Sequence, residues 1–110
     1  MPLIPAWRAA DRRPTHPGEI LREDSIPAVY RSKSEIARLL GISRQQLYDI
    51  MDEKKPVSPM MAVRLGKLFG NGPAVWIRMQ AAYDTWQAER EIDLSSIPTL
   101  ELKPGPVSSL

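Results

Sequence analysis

The 110-residue sequence contains no cysteine, which excludes disulfides, zinc–thiolate sites and thiol nucleophiles. Its one histidine, His16, excludes a multi-histidine metal centre and a histidine-based triad. No apolar run approaches the roughly 18 residues of a membrane span. Residues 1–8 have neither a charged start nor an apolar block of leader length. A cytoplasmic protein without membrane contact is therefore expected, and no cofactor. The acids Glu19, Glu23 and Asp24 fall on a cap-and-surface pattern without a base or nucleophile beside them, so no enzyme is expected either. What remains is 43% hydrophobic and 25% charged, an ordinary globular composition at a length that fits one core.

Charge is unevenly spread. Residues 31–67 hold eight bases (Arg31, Lys33, Arg38, Arg44, Lys54, Lys55, Arg64, Lys67) against four acids (Glu35, Asp49, Asp52, Glu53), a net +4. The remaining chain has seven bases and nine acids. A basic middle between mildly acidic flanks suggests a local anionic partner, although scatter over a solvated surface gives the same count.

The prolines and glycines punctuate five helical stretches. The first opens at His16-Pro17-Gly18-Glu19 and stops before Pro27, with His16 read as a cap rather than a base. The second opens on the capping box Ser32-Lys33-Ser34-Glu35, buries Ile36, Ala37 and Leu40, and ends at Gly41. The third opens on a second box, Ser43-Arg44-Gln45-Gln46, and buries Leu47 and Ile50. The fourth runs from Ser58-Pro59 to Phe69-Gly70. The fifth begins at Gly72-Pro73 and carries the apolar stripe Val75, Trp76, Met79, Ala82, Tyr83 and Trp86. In the tail, Leu100 and Leu102 alternate with Thr99, Glu101 and Lys103, a short strand pattern. Such a strand would pair with a second subunit or stay without structure.

Helices two and three have the mechanics of a helix-turn-helix. Ala37 is small enough for a close crossing, Gly41 suits a sharp turn, and Ile42 and Leu47 fill the angle between the helices. At 100° per residue, Leu47 and Ile50 point inward while Arg44, Gln45, Tyr48, Asp49 and Asp52 share the opposite side. Arg44 and Gln45 suit base edges in a major groove, guanine and adenine respectively. Gln46 is assigned to capping. Tyr48 is a further candidate reader, for a thymine methyl or a phosphate, or a plain surface residue. Asp49 is a cytosine reader or a locally paired charge. Arg31, Lys33, Ser43, Lys54 and Lys55 flank this helix and are expected at phosphates.

The segments 16–23, 42–47, 57–65 and 75–84, with "HPGEIL" at the start and Trp76 followed by "QAAYD", resemble the HigA-type antitoxins, relatives of the XRE-like repressors. The resemblance implies an all-α, five-helix, lambda-repressor-like helix-turn-helix domain over 16–91. An irregular arm would precede it over 1–15, and a tail follow over 92–110. It also implies a homodimer that binds double-stranded operator DNA, represses its own operon and neutralises a HigB-type ribonuclease toxin. Spare apolar surface for the two-fold contact is sought in Trp76, Tyr83, Trp86, Leu100 and Leu102. The toxin contact is sought in the arm with Trp7 or in Glu19, Glu23 and Asp24. Other readings are a free-standing repressor without a toxin and a helical interaction module that does not bind DNA. The chain departs from the family pattern at Tyr30-Arg31-Ser32 (for Gly-Leu-Ser), at Gly72-Pro73-Ala74 (for Ser-Pro-Glu) and at Asp52-Glu53 (for Asn-Gly). The last puts negative charge beside the proposed DNA side.

Overall fold

A helix needs its first amides satisfied, and this chain does so with a side chain at the start of four of its five helices, His16, Ser32, Ser43 and Ser58, while the fifth starts at Gly72 without one. The computed structural model describes residues 12–104, and every regular element among them is helical. Helix α1 is α-helical over Pro17–Ile20 and continues as a π-helical turn over Leu21–Ser25. His16 caps it, as expected: the imidazole Nδ1 accepts from the Gly18 amide at 2.9 Å. The widened turn closes with the Ile26 amide donating to the Leu21 carbonyl at 3.1 Å, and both side chains are buried.

Helices α2 (Lys33–Leu40) and α3 (Arg44–Met51) form the helix-turn-helix. Ser32 caps α2 through the Glu35 amide, but the Glu35 carboxylate does not reach back. It is taken by Arg31 at 2.7 Å instead, so only half of the expected box forms. Gly41 turns the chain at φ 76°, a left-handed conformation that costs a residue with a Cβ about 1–2 kcal/mol. Helices α4 (Pro59–Phe69) and α5 (Pro73–Glu91) complete the bundle. None of the described helices is long and apolar enough to cross a membrane.

The core joins all five helices. Leu21, Ile36, Leu47, Leu65 and Trp76 have almost no exposure, and each such side chain contributes about 1.5–3 kcal/mol. Trp76 also donates from Nε1 to the Asn71 side chain at 3.0 Å, so its polar atom is not wasted. Between α1 and α3 the approach is backbone to backbone. A Cβ on Gly18 would lie 1.9 Å from the Ile50 carbonyl oxygen, so only glycine fits there.

Two sequence expectations change. In α5 only Trp76 of the apolar stripe is fully buried. Val75, Met79, Tyr83 and Trp86 are half-buried and Ala82 is exposed, while the polar Gln80 is buried. Gln80 has a backbone partner: its Oε1 accepts from the Val57 amide at 2.7 Å and its Nε2 donates to Asp84 at 2.9 Å. The loop amide of Val57 would otherwise be an unpaired donor in the core. Burial of Trp76 in its own chain also removes it from the surface available to a second subunit. Leu100 and Leu102 form no strand; residues 92–103 carry no strand among those described and are exposed throughout. Residues 1–11, with Trp7, lie outside the described residues.

His16 ties acid stability to its cap. Burial pushes the imidazole below its usual range, although Glu53 and Asp84 pull the other way. Protonation would also leave Nδ1 unable to accept from Gly18. A depressed histidine pKa means that the folded state binds fewer protons than the unfolded chain. Stability is therefore full above about pH 6.5 and falls as the pH drops below that value. Urea midpoints measured at pH 7.5 and 5.5 are expected to differ, and His16→Asn, which keeps an acceptor at the cap, to flatten that difference.

Candidate nucleic-acid interface

The outer side of α3 is organised from its first residue. Ser43 and Gln46 form a complete capping box, with the Gln46 amide on Ser43 Oγ at 3.0 Å and the Ser43 amide on Gln46 Oε1 at 2.9 Å. Gln46 therefore caps, as its position in the sequence suggested. Leu47, Ile50 and Met51 are buried beneath. Arg44, Gln45 and Tyr48 are exposed above them, and Asp49 is half-buried one turn further along.

These side chains are not loose. Arg44 Nη1 donates to Ser34 Oγ on α2 at 3.2 Å, bridging the two helices of the motif. Gln45 Nε2 donates to Asp49 Oδ1 at 2.8 Å along one helix face. The local pairing considered for Asp49 is therefore present. Tyr48 lines an open cleft of about 550 Å³ together with Arg22, Arg31, Ser32, Lys33 and Ser34.

The flanking bases divide into two groups. Lys33, Lys54 and Lys55 are exposed. The last two sit on a turn bound back to α3, because the Lys54 and Lys55 amides both donate to the Asp49 carbonyl, at 2.8 and 3.1 Å. Ser43 contributes its oxygen to the cap and keeps a hydroxyl proton for another acceptor. Arg31 is ion-paired with Glu35, which also lies 3.7 Å from Arg38. Arg64, although exposed, donates to the carbonyls of Leu40 and Gly41, at 2.8 and 3.2 Å. It thus serves the turn of the motif, a role that regional charge counting does not reveal.

Glu53 changes the electrostatic expectation for the turn after α3. It adopts φ 63°, left-handed and costly for a residue with a side chain. Its carboxylate is directed to Arg13 at 3.1 Å and Arg22 at 3.7 Å and is only 20% exposed. Of the two acids that replace Asn-Gly, Glu53 is thus neutralised on the side toward α1 and Asp52 alone stays exposed. Arg22 also donates to the Met51 carbonyl, at the last turn of α3. Arg13 reaches the Tyr83 hydroxyl at 3.3 Å. This network was missed in the sequence because its members are 29 to 70 residues apart. The acids considered for a toxin contact are partly engaged here too: Glu19 lies 3.8 Å from Arg13 and Glu23 2.9 Å from Arg22.

Compared with models of known families, the chain matches none. Individual relatives do match. Virulence-associated protein I of Dichelobacter nodosus is 36% identical over 76 residues, 69% of this chain and 70% of the relative. The antitoxin GraA, solved in complex with its operator, is 34% identical with a TM-score of 0.75, covering 83% of this chain and 95% of GraA. The Pseudomonas aeruginosa antitoxin HigA, solved with the higBA promoter, is 35% identical with a TM-score of 0.62, covering 74% and 97%. GraA and HigA are antitoxins, and a Haemophilus influenzae relative, 32% identical over 71% of this chain and 73% of its own length, is an HTH-type transcriptional regulator; none of these is an enzyme. With its five-helix order, its capped α3 and these likenesses along most of its length, the chain belongs to the HigA-type antitoxin family of helix-turn-helix proteins.

Proposed function

We propose that the protein is an antitoxin that binds operator DNA as a homodimer, represses its own operon and neutralises a HigB-type ribonuclease toxin. The observation that carries this reading is the outer side of α3. Arg44 and Gln45 stand exposed at a fully capped helix start, over a buried Leu47 and Ile50. Two similar proteins were solved with operator or promoter DNA, which supports transferring the same role to this chain. In the proposed complex, α3 enters the major groove with Arg44 and Gln45 at base edges and Tyr48 beside them. Lys33, Lys54, Lys55, Arg31 and the Ser43 hydroxyl contact phosphates, with Arg31 exchanging Glu35 for the backbone. The DNA-binding domain is residues 16–91, with the arm 1–15 and the tail 92–110 outside it. The protein works in the cytoplasm.

Titration on operator and scrambled duplexes at several salt concentrations separates reading from holding. Arg44→Ala should cost on the order of 1–3 kcal/mol on the operator and relax one base position. Lys54→Ala should weaken both duplexes alike and reduce the salt slope by about one. If Arg44→Ala loses both duplexes equally, α3 is not the reading helix.

A homodimer is supported by exposed apolar side chains after α5: Ile92, Leu94, Ile97, Leu100 and Leu102 are 53%, 52%, 61%, 77% and 92% exposed. A second subunit packed on this segment would take these side chains out of water. Light scattering at micromolar concentration should give about twice the 12.4 kDa chain mass, and a monomer that persists on the operator overturns the two-fold arrangement. Co-expression with the product of an adjacent small basic reading frame should yield a co-purifying complex. Failure of that complex, with operator binding intact, leaves a free-standing repressor.

A further inference from the structure

We propose that Asp49 is a positioning residue that fixes the Gln45 side-chain amide in one orientation, so that Gln45 selects adenine at one base pair of each half-site. The proposal rests on the operator-binding reading above and deepens it.

A glutamine amide presents an oxygen acceptor at one side and an NH2 donor at the other, and a free one rotates between two nearly equal faces. Gln45 does not have that freedom. Its Nε2 lies 2.8 Å from Asp49 Oδ1, and an ionised carboxylate only accepts hydrogen bonds. The amide oxygen is therefore excluded from the Asp49 side, because two oxygens would face each other there. One N–H is used by Asp49. The second N–H and Oε1 are left for the solvent-facing side of α3, where Gln45 is exposed.

That remaining pair is one donor and one acceptor in a fixed order. Adenine offers its complement in the major groove, with N7 accepting and the N6 amino group donating. Guanine presents two acceptors, N7 and O6, so one of them would meet the amide oxygen. Cytosine and thymine each satisfy only half of the pair. Asp49 itself is half-buried, and its carbonyl is bound by the Lys54 and Lys55 amides. It is thus tied to the following turn, one helical turn behind Gln45, as suits a residue that acts through its neighbour. Arg44 is held separately by Ser34, so the two reading residues have independent supports.

The test is selection of bound duplexes from a randomised library, with sequencing of the bound fraction, for the full chain and four variants. Gln45→Ala and Asp49→Ala should flatten the adenine preference at the same base-pair position, each by about tenfold. The double variant should flatten it no further than Gln45→Ala alone. Asp49→Glu, which keeps a carboxylate in reach, should restore part of the preference. Thermal melting should be unchanged throughout, which excludes a structural cause. Relaxation of a different position by Asp49→Ala overturns the proposal in favour of direct reading by Asp49. A uniform gain in affinity with the adenine position intact overturns it in favour of simple phosphate repulsion. Gln45→Ala without effect at any position also overturns it. An unaltered chain with no preferred position overturns this proposal together with the operator-binding reading, whereas failure of the Asp49 variants alone leaves that reading standing.

Discussion

An eight-residue helix has little stability of its own, because nucleation is unfavourable and too few bonds follow to offset it. Helix α3 is that short, so the usefulness of its outer side depends on how it is held. Its first turn is closed locally by the Ser43–Gln46 box. Its last turn is closed from α1: the Gly18 backbone lies against the Ile50 carbonyl, and Arg22 takes the Met51 carbonyl. The inner side is anchored by Leu47, Ile50 and Met51. With both ends and the inner side engaged, the exposed side chains start from a defined platform rather than from a fraying segment.

What could be read from the sequence was local. Ser32, Ser43 and Ser58 cap within three residues of themselves. Gly41 ends α2 because a left-handed turn penalises every residue with a side chain. Such interactions leave a mark in short stretches of chain. What could not be read depends on partners brought close only by folding. Gln80 looks like a surface residue until the Val57 amide, 23 positions away, needs an acceptor. Glu53 looks like an unfavourable charge until Arg13 and Arg22 meet it. At the candidate site the exposure of Arg44, Gln45 and Tyr48 was legible from helical periodicity, while the contacts that hold these side chains were legible only in part. The Gln45–Asp49 pair follows from i, i+4 spacing, but the Arg44–Ser34 bridge needed the crossing of two helices.

The basic middle of the chain illustrates the same difference in another quantity. Of its eight bases, Arg64 serves the carbonyls of a turn, and Arg31 and Arg38 share Glu35. Formal charge treats these residues like Lys33, Lys54 and Lys55, although a base already bonded to a carboxylate adds little to the field outside the protein. Lys33, Lys54 and Lys55 lie exposed in the turns or helix starts on either side of α3 in the chain, with Arg44 exposed on α3 and Lys67 on α4.

The turn after α3 carries a mechanical consequence. Because the Lys54 and Lys55 amides share the Asp49 carbonyl, the backbone of the two lysines is tied to α3. A tilt of α3 in a groove would carry the backbone of both lysines with it. Rigid movement of α3 would then shift the proposed reading side chains and the backbone of both lysines together, so exchanges at positions 44 and 45 would leave the placement of that turn unchanged.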